Sequence, residues 1–210
     1  MRPGRSSQTP RQPTERDAQK ERTRLRIYEA ARDLFGKNGY LNTRTSDIAK
    51  RAGVSHGSVH AHYPTKAHIL VALMAEYLSE LDGQLEQEGL GRGDPVEHFK
   101  AVVARLVDAH EKNLEHVRWY YGYSWLWGAE EEETYRLHKD TIRRRLCDIL
   151  HDGVRRGALE PETPVELVVD LVSAQYRTYL RQLIHEPGAS DLLRRRLGEG
   201  VDLVLGPYRP

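Results

Sequence analysis

The sequence predicts an all-α protein of about nine helices, on three observations. Apolar residues recur at helical spacing in one segment after another, and no stretch alternates apolar and polar residues as a strand would. The third observation is the stretch from Thr45 to Lys66, TSDIAKRAGVSHGSVHAHYPTK, which reads as two short helices meeting at a tight turn.

Residues 1 to 20 carry three prolines, a glycine and scattered arginines, and they build no packed face, so a disordered basic arm is expected there. Such an arm either stays solvated with no specific role or, as a cationic tail, attracts DNA non-specifically or lies in a minor groove. The first helix should run from about Arg22 to Lys37, with Asn38-Gly39 as its stop. Thr45 and Ser46 are hydroxyl residues suited to a helix start, Asp47 favours the first turn, and Ile48, Ala49 and Ala52 share one face. A second helix is therefore expected over Thr45 to Ala52. Gly53 stands where a left-handed residue ends it, Val54 is an apolar plug, and Ser55 can accept a backbone N–H to start the next.

That third helix, His56 to His62, has Val59 as its inward anchor and otherwise small or hydrogen-bonding side chains. Tyr63-Pro64 stops it, Thr65 is placed to cap a fourth, and Lys66 falls in the first turn. A helix this short buries little, but a helix of small polar residues fits a major groove roughly 12 Å wide and touches base edges. The turn alone fits an ordinary helical hairpin equally well. Charge separates the two readings: residues 1 to 66 hold 14 Lys and Arg against 6 Asp and Glu, a net of +8, while residues 67 to 210 hold 18 against 25, a net of −7. A basic third beside an acidic remainder points the N-terminal part at a polyanion.

The run Ile27, Ala30, Ala31, Leu34, Phe35, Gly39, Tyr40 and Thr43, continued by Ile48, Ala49, Ala52, Gly53, Val54, Ser55, Gly57, Val59, Tyr63, Lys66 and Leu70, resembles the N-terminal DNA-binding domain of tetracycline-repressor (TetR) family regulators. The resemblance implies a helix-turn-helix domain of three helices over residues 21 to 66. It also implies a C-terminal helical domain over residues 67 to 210 that binds an effector and dimerises. It places His56, Gly57 and Ser58, with Arg44, Ser46 and His62 nearby, at bases or in the groove, and Thr45, His60, Thr65 and Lys66 at phosphates. His60 stands where the family usually has tyrosine, and Tyr63 where it usually has phenylalanine.

Beyond Thr65, the residues Ile69, Leu70, Leu73, Met74, Tyr77, Leu78 and Leu81 form a long apolar stripe, so one helix should serve both domains. Gly89 to Pro95 breaks the pattern. Further helices are expected over Val96 to Val107, Lys112 to Leu126, Glu130 to Arg156 with Gly157 as its end, Pro164 to His185, and Gly188 to Leu205. In WYYGYSWLW, a helical projection puts His116, Trp119, Tyr120, Tyr123 and Trp127 on one face and Tyr121 and Trp125 on the other, so both sides want burial. The cluster either fills the core or lines a cavity whose N–H and O–H groups orient an organic ligand. The resemblance favours an inducer cavity, with His116, Trp119, Tyr120, Tyr123, Trp127 and Tyr176 as its candidate lining. It also makes the last two long helices a dimer interface, which suits a reader of two half-sites one DNA turn apart.

Enzymatic alternatives find little support. His56 and His60 have the spacing of two metal ligands on one helical turn, but no carboxylate lies near and nothing matches HExxH, so no metal or cofactor is expected. A P-loop, a GxSxG elbow and a dinucleotide glycine fingerprint are all missing. Cys147, the one cysteine, excludes an intrachain disulfide and fits a reducing cytosol as a small buried apolar residue. The uncharged aromatic stretch Trp119 to Ala129 is too short to span a bilayer, so a cytoplasmic protein is expected. The expectation is a homodimeric regulator, most naturally a repressor, that leaves a palindromic double-stranded DNA operator when a small organic effector binds. Control by a protein partner is the alternative.

Overall fold

The computed structural model describes residues 14–87, 93–186 and 188–210; the side chain of His116 and residues 89–92 of the expected break lie outside that description. Among the described residues there are nine α-helices and no strand. The chain divides into two compact units, Met1–Lys66 and Ala67–Pro210.

The first unit holds α1 (Glu15–Asn38), α2 (Thr45–Ala52) and α3 (His56–His62). Helix α1 begins at Glu15, not near Arg22, which corrects the arm expected over residues 1 to 20; residues 1–13 lie outside the described residues. The cause is a capping box: the Thr14 N–H donates to Asp17 Oδ2 at 2.9 Å, and the Asp17 N–H donates to Thr14 Oγ1 at 3.2 Å. Asp17 therefore converts a segment of poor packing potential into two extra turns. The residue preceding α2 is Arg44, and its N–H donates to Asp47 Oδ2 at 3.1 Å, so the carboxylate performs the capping expected of Thr45 and Ser46. Gly53 takes φ 63° and ends α2, and Ser55 Oγ accepts the Ser58 N–H at 3.0 Å to start α3. Ile27, Ala31, Phe35, Ile48 and Val59 are fully buried in this unit, and Phe35 meets Tyr40 edge-on at 5.2 Å.

The second unit takes in α4 (Lys66–Gln87) from Ala67 onward, then α5 (Pro95–Lys112), α6 (Leu114–Tyr123), α7 (Ala129–Arg155), α8 (Val165–His185) and α9 (Ser190–Leu205). Pro95 opens α5 under a cap from Asp94, whose Oδ1 accepts the Val96 N–H at 2.9 Å. Helix α5 is the centre of the unit: Val96, Phe99, Val102, Val103 and Val107 are buried, and it packs on α7 and α9, with α9 also against α8. Cys147 is buried, and burial raises its thiol pKa, which suits an inert packing role.

The helix expected over Lys112 to Leu126 is shorter. Helix α6 ends at Tyr123, and a 3₁₀ turn over Ser124–Leu126 reorients the chain. Trp125, expected to want burial, is therefore 91% exposed. Among the described residues, no helix is long and apolar enough to cross a membrane.

Candidate nucleic-acid interface and ligand cavity

Helix α3 hides one side chain, Val59, and shows the rest. His56, Gly57 and His60 are exposed, while Ser58 and His62 are half-buried. On α2 and its approach, Arg44 and Ser46 are exposed and Thr45 is half-buried. His56 Nε2 lies 2.9 Å from Thr45 Oγ1, joining the first residue of α2 to the first residue of α3. His60 Nδ1 donates to the Pro64 carbonyl at 3.1 Å, and its ring meets that of His56 edge-on at 4.5 Å. These bonds hold two imidazoles on one exposed face. Among the described residues no group of three His, Cys, Asp or Glu is placed to hold a metal ion.

Thr65 is exposed just ahead of α4, whereas Lys66 is turned inward. Its ammonium donates to the carbonyls of Tyr40 at 2.7 Å and Thr43 at 2.9 Å, and it stands 4.3 Å from the centre of the Tyr40 ring. Burial lowers its pKa. The residue expected at a phosphate is thus committed to the loop that delivers α2.

Two features of this unit escape the sequence reading. The Arg26 guanidinium reaches the helix-turn-helix corner, where Nη2 donates to the carbonyls of Ala52 and, at 2.8 Å, Gly53. The extra turns of α1 also matter, because Arg16, Lys20 and Arg22 flank an open cleft of about 850 Å³ whose opposite side is Ser58, Ala61 and His62. The Thr14 to Asp17 spacing is the legible sign of those turns.

The second unit contains a cavity of about 320 Å³. Leu78 of α4, Val103 and Leu106 of α5, and Ile142 and Leu146 of α7 supply its apolar wall. His110, Tyr121 and Tyr176 bring polar atoms to it from α5, α6 and α8. His110 is buried, and its Nδ1 is hydrogen-bonded to the Tyr176 hydroxyl. Burial pulls the His110 pKa down to about 4, which a hydrogen bond to the Leu106 carbonyl only partly offsets, so the ring is neutral at pH 7. Burial raises the Tyr121 phenol to about 12 and the Tyr176 phenol well above its ordinary range. Charged groups gather where the lining is exposed: Arg136 pairs with Glu133 at 2.6 Å, Arg143 with Asp170 at 3.1 Å, and Arg177 stands beside them.

Of the six side chains proposed for a ligand, Tyr176 lines this cavity, and the His116 side chain lies outside the described residues. Trp119 and Tyr120 are buried elsewhere: Tyr120 packs with Val71 and Met74, 5.2 Å from the Trp127 ring and 4.9 Å from the Tyr121 ring. Tyr120 and Trp127 thus back Tyr121, the ring on the lining, and Tyr123 is half-buried outside that lining. His68 is a further surprise, since it faces Glu131 at 3.4 Å and Glu130 at 3.6 Å, so the glutamate run opening α7 is partly engaged by α4.

Comparison with known proteins agrees with this architecture. Residues 27–73 match the family described as bacterial regulatory proteins, tetR family. The transcriptional repressor KstR of Mycolicibacterium smegmatis is 30% identical over 97 residues, 46% of this chain and 47% of the repressor, so the chain matches about half the length of that relative. The repressor KstR2 of the same organism is 26% identical over 200 residues, covering 94% of this chain and 93% of its own. Among solved structures, the FadR repressor of Thermus thermophilus in complex with lauroyl-CoA shares the fold with a TM-score of 0.69 at 23% identity, covering 87% of this chain and 93% of that one. The matched motif over residues 27–73, the helix order and the three-dimensional fold all agree with the tetracycline-repressor (TetR) family of bacterial regulatory proteins.

Proposed function

We propose that this protein is a dimeric DNA-binding repressor that releases a palindromic operator when a small organic effector enters the cavity of the second unit. The observation that carries the reading is helix α3, which anchors itself through Val59 and offers His56, Gly57 and His60 to solvent. A helix so built is suited to a major groove, where Gly57 permits close backbone approach and the imidazole and Ser58 tips reach base edges. Arg44, Ser46 and His62 flank that contact, while Thr45, His60 and Thr65 meet phosphates. Arg16, Lys20 and Arg22 of the lengthened α1 add sequence-independent attraction across the cleft they form with α3.

The effector half rests on the cavity and on precedent. The FadR relative was solved with lauroyl-CoA, so this fold holds an organic ligand in at least one relative. Helix α4 starts at Lys66, which fastens the loop before α2, and supplies Leu78 to the cavity wall. A ligand that shifts α4 thereby acts on the reading helices; a coupling of about 1 to 3 kcal/mol cuts operator affinity roughly 5- to 150-fold. For dimerisation, α8 exposes Leu167 and Leu171 and α9 exposes Leu203, apolar positions suited to a two-fold contact. The test is fluorescence anisotropy with the DNA flanking the protein's own gene, with and without candidate effectors. Specific binding reversed by an effector supports the reading, and no binding in dilute salt overturns it.

A further inference from the structure

The inner end of the cavity has a chemical character that its volume alone does not convey. His110 and Tyr176 are bonded to each other across 66 residues of sequence, and Tyr121 joins them on the lining. The single N–H of the neutral imidazole goes to the Leu106 carbonyl, so the Tyr176 hydroxyl donates to the other ring nitrogen and keeps a lone pair to take a hydrogen. The Tyr121 hydroxyl can both give a hydrogen and take one. Glu132, Arg136, Asp170 and Arg177 of the lining are exposed, Asp140, Arg143, Tyr121 and Tyr176 are half-buried, and His110 is 4% exposed. The most deeply buried polar group of the lining is therefore an uncharged imidazole bonded to a phenol.

We infer that the effector is an apolar molecule carrying an uncharged oxygen, a hydroxyl or ketone, at its buried end, and that His110, Tyr176 and Tyr121 read that oxygen. This rests on the cavity being the effector site. A carboxylate placed there, with Arg177 acting on Tyr121 from the exposed rim, would exchange its hydration for the one hydrogen that Tyr121 gives and would face the Tyr176 lone pair, and an ammonium would exchange it for neutral acceptors; either costs more than those hydrogen bonds return. The depressed basicity of the imidazole agrees, because a ring that stays neutral offers no charge to an anionic ligand. A hydroxyl gives one hydrogen bond and accepts another, matching what the His110 and Tyr176 pair and Tyr121 leave open. Leu106, Leu146 and Val103 then enclose the hydrocarbon body.

The experiment is isothermal titration of the full-length protein with two matched probe series, n-decanol, decanoate and decylammonium for chains, and naphthol and naphthoate for rings. The neutral member of at least one series should bind at least tenfold tighter than its charged analogues. Tyr176→Phe, which keeps the ring, should weaken that neutral probe roughly tenfold, the worth of about one hydrogen bond. His110→Gln is the second variant with the same expected loss, and unliganded thermal melts establish that both are folded. Leu146→Trp, which fills the cavity, should abolish binding of every probe. If Leu146→Trp blocks binding but a charged probe is preferred, or if neither Tyr176→Phe nor His110→Gln lowers the neutral preference, the inference about the buried oxygen falls while the cavity stands. If Leu146→Trp changes nothing, or no probe binds, the cavity itself is overturned as the effector site.

Discussion

The ammonium of Lys66 donates to the carbonyl oxygen of Tyr40 at 2.7 Å while standing 4.3 Å from the centre of that residue's ring. One cation thus satisfies backbone acceptors of the loop between α1 and α2 and rests on an aromatic face. Lys66→Met keeps most of the apolar stem and removes every donor. It should lower unfolding free energy by roughly 1 to 2 kcal/mol, because the loop carbonyls lose their partner. Operator affinity should fall with it, but the slope of affinity against salt should stay the same, as no phosphate contact is lost. A slope smaller by about one, with unchanged stability, would put the ammonium on DNA instead.

The corner between α2 and α3 depends on two residues acting together. Gly53 holds φ 63°, and a Cβ there would stand 2.8 Å from Arg26 Nη2, the group that bonds the Ala52 and Gly53 carbonyls. Gly53→Ala therefore incurs the left-handed penalty and displaces the arginine, a combined cost of roughly 1 to 3 kcal/mol. Arg26→Met should reproduce the second part alone. Chemical denaturation of both variants checks the ranking, with Gly53→Ala the less stable; equal stability of Gly53→Ala and the unmodified protein would refute it.

Local chemistry makes much of the first unit readable. Gly53, Ser55 and Val59 act within a few residues of themselves, so a left-handed stop, a hydroxyl cap and an apolar anchor are visible in order along the chain. The start of α1 is harder to see because the weight of proline and arginine hides the Thr14 and Asp17 pair. Lys66 cannot be read, since its acceptors lie 23 to 26 residues away and backbone carbonyls have no sequence signature. The cavity is harder still. A helical projection of Trp119 to Trp127 assumes one unbroken helix, but α6 stops at Tyr123, and Tyr121 rather than Trp119 lines the cavity. Which face of an aromatic helix meets a cavity is decided by its neighbours, and His110 meets Tyr176 only after folding.

Leu167 and Leu171 on α8 are 56% and 49% exposed, and Leu203 on α9 is 79% exposed. Large apolar side chains on two long helices are costly to leave in water, and burying them between two copies recovers roughly 25 cal/mol per Å². Leu171→Glu combined with Leu203→Glu should convert a dimer into a monomer in light scattering while leaving the helical circular dichroism unchanged. Operator affinity should drop by roughly two orders of magnitude, because the second half-site no longer binds as part of the same particle. A double variant that remains dimeric would move the interface elsewhere.

His110 gives the second unit an acid sensitivity with a defined sign. In the folded protein burial holds its pKa at about 4, against 6.5 for the free side chain. Between those values the unfolded chain binds a proton that the native ring refuses, so unfolding takes up protons and stability falls as pH falls. The contribution is intact above pH 6.5, shrinks steadily toward pH 4, and amounts to roughly 3 kcal/mol over the whole window. His110→Gln removes the titrating group and leaves the Tyr176 hydroxyl a neutral partner. The stability difference between pH 7 and pH 4, from urea unfolding, should therefore be smaller in the variant by about that amount. Carboxylates that also weaken the protein in acid affect both proteins alike, so the comparison isolates the imidazole. Identical pH profiles would mean that water or a charged partner reaches His110 in the folded state and lets it protonate there.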